Sequence, residues 1–320
     1  MVAANWTYQK GLTETGNGLF AWLQPDGGWG WSNAGLVVDG DQSLLVDTLF
    51  DASLTRDMLR AMADASGIAA EQIDTVVNTH ANGDHTHGNG LCTGAEVIAS
   101  EASAREMEAF TPEMMQGFME ASDTLGETGA YLRHCFGAFD FTDVAEKLPT
   151  RTFSEQLDLQ VGDKAVSLIE VGPAHTRGDV LVHVPADRTV FTGDILFIDG
   201  TPLMWAGPVG NWLSACDRII AMDAEVIVPG HGPLTDVAGV RRMRGYLEYI
   251  TNEARKRFDA GLDLRDAIHD IALADYDSWI DAERIAINVD TLYREFSGGG
   301  KPTDTLTLFK LMAEVHQRRR

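Results

Sequence analysis

Thr79–Asn89 reads THANGDHTHGN, three histidines and one aspartate in eleven residues. Imidazole nitrogen and carboxylate oxygen are ligands for zinc, iron or manganese. The stretch before it, IDTVVNT (Ile73–Thr79), is rich in β-branched residues and reads as a strand that delivers the chain into the cluster. A strand end is a good place for a ligand, because the sheet fixes its origin while the loop aims it.

Three later segments repeat that arrangement. GPAHTRGD carries His175, FTGD carries Asp194 and VPGHGP carries His231, each at the end of an apolar run. Gly83, Gly172, Gly193 and Gly230 adjoin the ligand candidates and permit tight turns. Singly these segments are weak signals. Four in this order specify a metal site, with His80, Asn82, Asp84, His85, His175, Asp194 and His231 as its candidates. His134, His183, His269 and His316 lack a partner motif, and His87 is not assigned as a ligand.

The flanking chain reads as two β-rich halves. Leu19–Gln24, AGLVVD and SLLVD form hairpins, the helix Leu54–Ala65 follows, and EVIAS is a further strand. LDLQVG, AVSLIEV, VLVHV, TVFTGD and EVIVPGHG repeat the theme, with a helix at Asn211–Met222. Between the halves, at about 101–145, Met and Phe recur at helical spacing, predicting two or three inserted helices that pack on the core or form a lid. From Thr235 onward the chain reads as nearly all helix, including an amphipathic stretch at Arg284–Gly298.

Composition limits the function. There are 48 acidic against 25 basic residues, a net charge of −23, which repels nucleic acid and anionic membranes. No apolar run approaches the ~20 residues needed to span a bilayer. No signal peptide is visible, and Cys92, Cys135 and Cys216 are odd in number and far apart, as expected of reduced buried thiols. The expected compartment is the cytoplasm.

Over about residues 18–235 the chain resembles the metallo-β-lactamase superfamily, whose pattern is His-x-His-x-Asp-His followed by His, Asp and His on later loops. The resemblance implies an α/β (α+β) fold: a four-layer αββα sandwich over 1–235, with the helical insert at about 101–145 and a helical extension at 236–320 packed on the same domain. By position, one metal receives His80, residue 82 and His175, a second receives Asp84, His85 and His231, and Asp194 bridges them. Asn82 departs from the pattern, which has histidine there. It can ligate through its amide oxygen, orient water or substrate, or leave that metal weakly held.

The resemblance implies two zinc ions, with iron or manganese as alternatives, and hydrolysis of an ester, thioester, lactone or related bond of a small molecule. A divalent metal brings the pKa of bound water near neutral, so no serine or cysteine nucleophile is needed. Asp84 and Asp194 are the catalytic candidates. Trp29, Trp31, Met204 and Trp205 either border the expected site, which suggests a partly apolar substrate, or serve as core and hairpin packing. Two alternatives stand beside this: a mononuclear non-haem iron dioxygenase of the persulfide-dioxygenase type using His80, His175 and Asp194, and a polyketide cyclase- or thioesterase-like enzyme. A homodimer, packed through the last helices, is a further expectation.

Overall fold

The computed structural model describes residues 6–320. One sheet runs in chain order: β1 (Gly11–Gly16), β2 (Leu19–Leu23), β3 (Ala34–Asp39), β4 (Gln42–Val46), β5 (Thr75–Val77), β6 (Glu96–Ser100) and β7 (Arg151–Phe153). Its first four strands pair antiparallel and β4 through β7 pair parallel. The second sheet contains β8 (Gln156–Val161), β9 (Lys164–Glu170), β10 (Val180–Val184), β11 (Thr189–Phe191) and β12 (Val226–Val228), in the order β12-β11-β10-β9-β8. Only its β11–β12 pair is parallel.

Period-two alternation builds the layers. In β2, Leu19, Ala21 and Leu23 face the other sheet while Phe20 and Trp22 face a helix. In β10 to β12, Val180, Val182, Phe191, Val226 and Val228 point between the sheets, and Leu181, Val190 and Ile227 point outward. Gly35 in β3 makes room for this inter-sheet core, since a Cβ there would lie 2.1 Å from the Phe191 ring.

The outer layers are helical. The crossover from β4 to β5 is α1 (Ala52–Ser66), which begins with the Asp51 carboxylate accepting from Leu54 N and ends at left-handed Gly67. Its Met58, Leu59 and Met62 pack on Phe20, Leu36 and Val76. On the far side, α5 (Val209–Ala221), α6 (Val237–Asp259), α7 (Leu264–Asp270), α8 (Ile285–Phe296) and α9 (Thr305–Arg319) join one apolar cluster with Leu181, Val190 and Ile227. Because this cluster is shared, the sheet and the extension bury their apolar faces against each other. The architecture is the αββα sandwich that the sequence predicted.

Between β6 and β7 lies the insert, with helices α2 (Glu101–Met107), α3 (Pro112–Ala121) and α4 (Gly126–Phe136). α4 buries Tyr131, Leu132, Cys135 and Phe136, whereas α3 buries only Pro112. The sequence reading opened the first sheet at Leu19. The structure adds β1 (GLTETG), an edge strand too polar to show an alternating apolar signal. All three cysteines are buried and free. No helix among the described residues is long and apolar enough to cross a membrane.

Candidate metal centre

The four predicted segments meet at one end of the sandwich. His80 follows β5, Asp84 and His85 lie in a short 3-10 turn (Gly83–His85), His175 sits before β10, Asp194 follows β11 and His231 follows β12. Asp194 is the hub. Its Oδ1 is 3.2 Å from His85 Nε2, and its Oδ2 is 3.3 Å from His175 Nε2, 3.4 Å from His231 Nε2 and 3.8 Å from His80 Nε2. Asp84 Oδ2 lies 3.4 Å from His231 Nε2 and 3.8 Å from His85 Nε2.

Each histidine is oriented through its other nitrogen. Nδ1 of His85 meets Asp47 Oδ2 at 2.9 Å, that of His80 meets Thr79 Oγ1 at 3.1 Å, that of His175 meets Leu203 O at 2.6 Å and that of His231 meets Trp31 O at 3.2 Å. With Nδ1–H donating outward, every Nε2 lone pair faces the centre. Nε2 of His80, His85 and His175 and Oδ1 of Asp194 are buried with no hydrogen-bond partner among the described residues. Four orphaned acceptors in one place are costly unless something binds them. A divalent cation fits that set, and two overlapping groups, His80–His85–Asp194 and Asp84–His85–His231, have ligand atoms within 4.8 Å of one another.

The electrostatics divide the four histidines: burial would lower His85, but the Asp194, Asp84 and Asp47 carboxylates raise it well above its ordinary value, so a cation must displace its Nε2 proton. Burial lowers the His80 and His175 imidazoles, keeping them neutral and able to ligate. Burial alone would also lower His231, but Asp194 and Asp84 raise it to about 9. Burial would raise Asp84, yet His85 and His231 hold it at about 2.

Asn82 stands at the head of the turn, half-buried. Its carbonyl accepts from His85 N at 2.9 Å, while its amide finds no hydrogen-bond partner among the described residues. His87 lies outside the ligand groups, with Nδ1 on Phe50 O at 3.2 Å. Trp31 is half-buried with its ring 4.8 Å from Phe139, and Trp205, also half-buried, donates its backbone N–H to His175 O at 3.0 Å. Trp29 and Met204 are buried in the helical-side core.

The sequence reading missed the supports. Asp47 accepts from Thr79 N, Thr79 Oγ1 and His85, and its place at a strand end, like that of Asp194, was the available signal. Asp179 accepts from Ala174 N, Thr176 N and Thr176 Oγ1 and so shapes the loop that presents His175. Ser32 donates to Asp84 O, and Asn33 Nδ2 donates to Pro229 O and Gly232 O on either side of His231. Of the four glycines flagged beside ligands, Gly193 alone takes a left-handed φ, +48°. Gly230 is required by closeness, since a Cβ there would lie 2.0 Å from Asp194 Oδ1.

Known proteins share this plan. The chain is 24% identical over 263 residues to the 2,4-dinitroanisole O-demethylase subunit alpha of Nocardioides sp., which covers 80% of this chain and 62% of that one. It is 26% identical over 243 residues to the acyl-coenzyme A thioesterase MBLAC2 of Gallus gallus, covering 72% and 82%. Among solved structures, the sec-alkylsulfatase Pisa1 from Pseudomonas sp. superposes with a TM-score of 0.67 at 14% identity, over 90% of this chain and 50% of that one. A metallo-beta-lactamase from Pontibacter korlensis gives 0.56 at 18% identity, over 75% and 99%. The chain thus spans about three fifths of the demethylase subunit and half of the alkylsulfatase. Residues 27–231 match the sequence pattern of the metallo-beta-lactamase superfamily. That match runs from the loop between β2 and β3 through His231, so it takes in every converging ligand segment, and the chain belongs to the metallo-beta-lactamase superfamily.

Proposed function

We propose that this protein is a metal-dependent hydrolase of an ester, thioester or related bond in a small, partly apolar molecule, with two zinc ions held by His80, Asp84, His85, His175, Asp194 and His231. The observation that carries this reading is the set of buried Nε2 atoms aimed at one point with no protein partner. When bound, the metal supplies hydroxide near neutral pH and a Lewis acid for the substrate's carbonyl oxygen. Asp194 holds the cluster together from its centre. Asp84 and His231, with side chains 12% and 9% exposed, are its most accessible members, so substrate enters on their side. Asp84 would take the proton released from water only through a carboxylate oxygen that is not engaged with metal.

Nearby surface supports an apolar substrate. Trp31 and Trp205 flank the site through their backbone contacts with His231 and His175. Beyond the metal turn, Thr86 and His87 share a surface pocket with Met107, Phe110 and Leu148. Phe110 is 61% exposed and Leu148 is 41% exposed, so the insert presents unburied apolar groups beside the site. The likeness to an acyl-coenzyme A thioesterase supports the same bond class.

The test is metal analysis with a panel of short- and long-chain esters and thioesters. Two zinc per chain, with hydrolysis lost to chelator and restored by zinc, is expected. A single iron with oxygen-dependent turnover would favour the dioxygenase reading, and full activity without metal would overturn both. Asn82→His adds an imidazole at the family position and should tighten one zinc. Unchanged affinity would show that residue 82 points away from the ions.

A further inference from the structure

His231 is held on two sides. Its ring stacks on Phe197, centroids 5.0 Å apart and planes within 3°, and its Nδ1 meets the carbonyl of Trp31. Both supports trace back to Arg284, a residue of the C-terminal extension. Its guanidinium carbon lies 5.5 Å from the centre of the Phe197 ring and 4.5 Å from that of Trp29, two residues before Trp31. Arg284 is 1% exposed, so the cation is almost wholly buried. Nη1 donates to Thr201 O at 3.0 Å, Nη2 lies 3.0 Å from Asp281 Oδ2, and Nε has no partner among the described residues. The backbone runs together at the same place: Ile280 N donates to Asp199 O at 3.2 Å and Thr201 N to Ile280 O at 3.0 Å.

Burying a guanidinium with one carboxylate partner is poor value for stability alone, because desolvation offsets the attraction. A guanidinium placed over two aromatic rings while also donating to Thr201 O, however, is an arrangement that the compact ammonium of a lysine does not reproduce. We infer that Arg284 is a positioning residue for the metal ligand His231: packed against Trp29 and Phe197, it sets the ring that His231 stacks on and the loop that holds its Nδ1. The C-terminal extension is thereby a working part of the metal centre. This rests on the metal-centre reading and not on the reaction catalysed.

The experiment measures zinc affinity of the full chain by chelator competition, together with the melting temperature of the zinc-free protein. Arg284→Lys, Phe197→Leu and their double variant are compared with wild type. Each single change is expected to weaken one zinc by about 10–100-fold, the range for lost outer-sphere support. The double variant should be little weaker than the worse single, since both act on His231 by one route. A merely structural Arg284 would lower the zinc-free melting temperature and leave the affinity of the folded protein unchanged, and that result overturns the inference. So does full additivity in the double variant. If Arg284→Lys does not fold, Trp29→Leu carries the test, and wild-type zinc affinity in that variant overturns the inference equally. No turnover enters these measurements, so failure of the hydrolase reading would register separately, as a zinc-binding chain inactive on every ester and thioester.

Discussion

Asp47→Asn probes the metal centre through a residue that does not belong to the ligand set. Asp47 directly follows β4 and is 2% exposed. Its Oδ1 accepts from Thr79 N at 2.7 Å, and its Oδ2 accepts from Thr79 Oγ1 at 2.7 Å and faces His85 Nδ1 at 2.9 Å. An amide NH2 in place of Oδ2 sets a donor against the His85 N–H. The flipped amide sets it against the Thr79 N–H. Either way a buried N–H loses its acceptor, and a hydrogen bond to a charged group contributes about 1.5–3 kcal/mol. Loss of an outer-sphere partner weakens metal binding by about 10–100-fold, which at about 1.4 kcal/mol per tenfold is about 1.4–2.8 kcal/mol. The two routes to the magnitude agree. Chelator competition for zinc, with circular dichroism as the fold control, reads the effect directly. A folded Asp47→Asn protein with wild-type zinc affinity would refute the reasoning. It would mean that the His85 N to Asn82 O bond, 2.9 Å, aims the imidazole unaided.

The remaining predictions concern the surroundings of that site. Burial lowers the His87 imidazole from 6.5 to about 4. The folded protein therefore keeps it neutral where the unfolded chain takes a proton, so its share of stability is present above pH 6.5 and lost as pH falls toward 4. At about 1.4 kcal/mol per pH unit the full loss is about 3 kcal/mol. Urea unfolding at pH 7 and pH 4.5 should show His87→Gln less acid-sensitive than wild type, and equal sensitivity would contradict the assignment. Gly230→Ala should fold with zinc content at least tenfold less tightly held, because its Cβ would meet Asp194 Oδ1 at 2.0 Å and the Gly193 carbonyl carbon at 2.6 Å. Wild-type zinc affinity in that variant would show that the loop yields freely. Phe191→Ala empties the space above Gly35 between the sheets and should cost about 3–5 kcal/mol in chemical denaturation. A cost below about 1 kcal/mol would show that the sheets close over the gap.

Much of the site was legible because its ligands share one local grammar. An apolar run ends, a glycine lets the chain turn, and a histidine or aspartate follows, as at FTGD and VPGHGP. The apolar runs LFAWL and VLVHV likewise announced strands, while which of their side chains meet between the sheets was decided by the structure. The supports were not legible. Asp47 reads as an ordinary strand-end acid, Asn33 as a turn residue and Asp179 as one more acid in a loop, since their roles lie in partners far along the chain. Asn33 reaches Pro229 and Gly232 across nearly two hundred residues.

The aromatics mark the same boundary. Trp29, Trp31, Met204 and Trp205 stood near the site in the sequence, yet Trp29 and Met204 pack into the core while Trp31 and Trp205 stay half-exposed beside it. Composition and spacing carried the ligand types, their order and the layers they hang from, because backbone periodicity and turn chemistry are local. Which nitrogen of each imidazole faces inward, which glycine must have no Cβ and how Arg284 comes to lie behind His231 were decided only by tertiary structure. Those depend on distances of a few ångströms between segments that the chain itself leaves far apart.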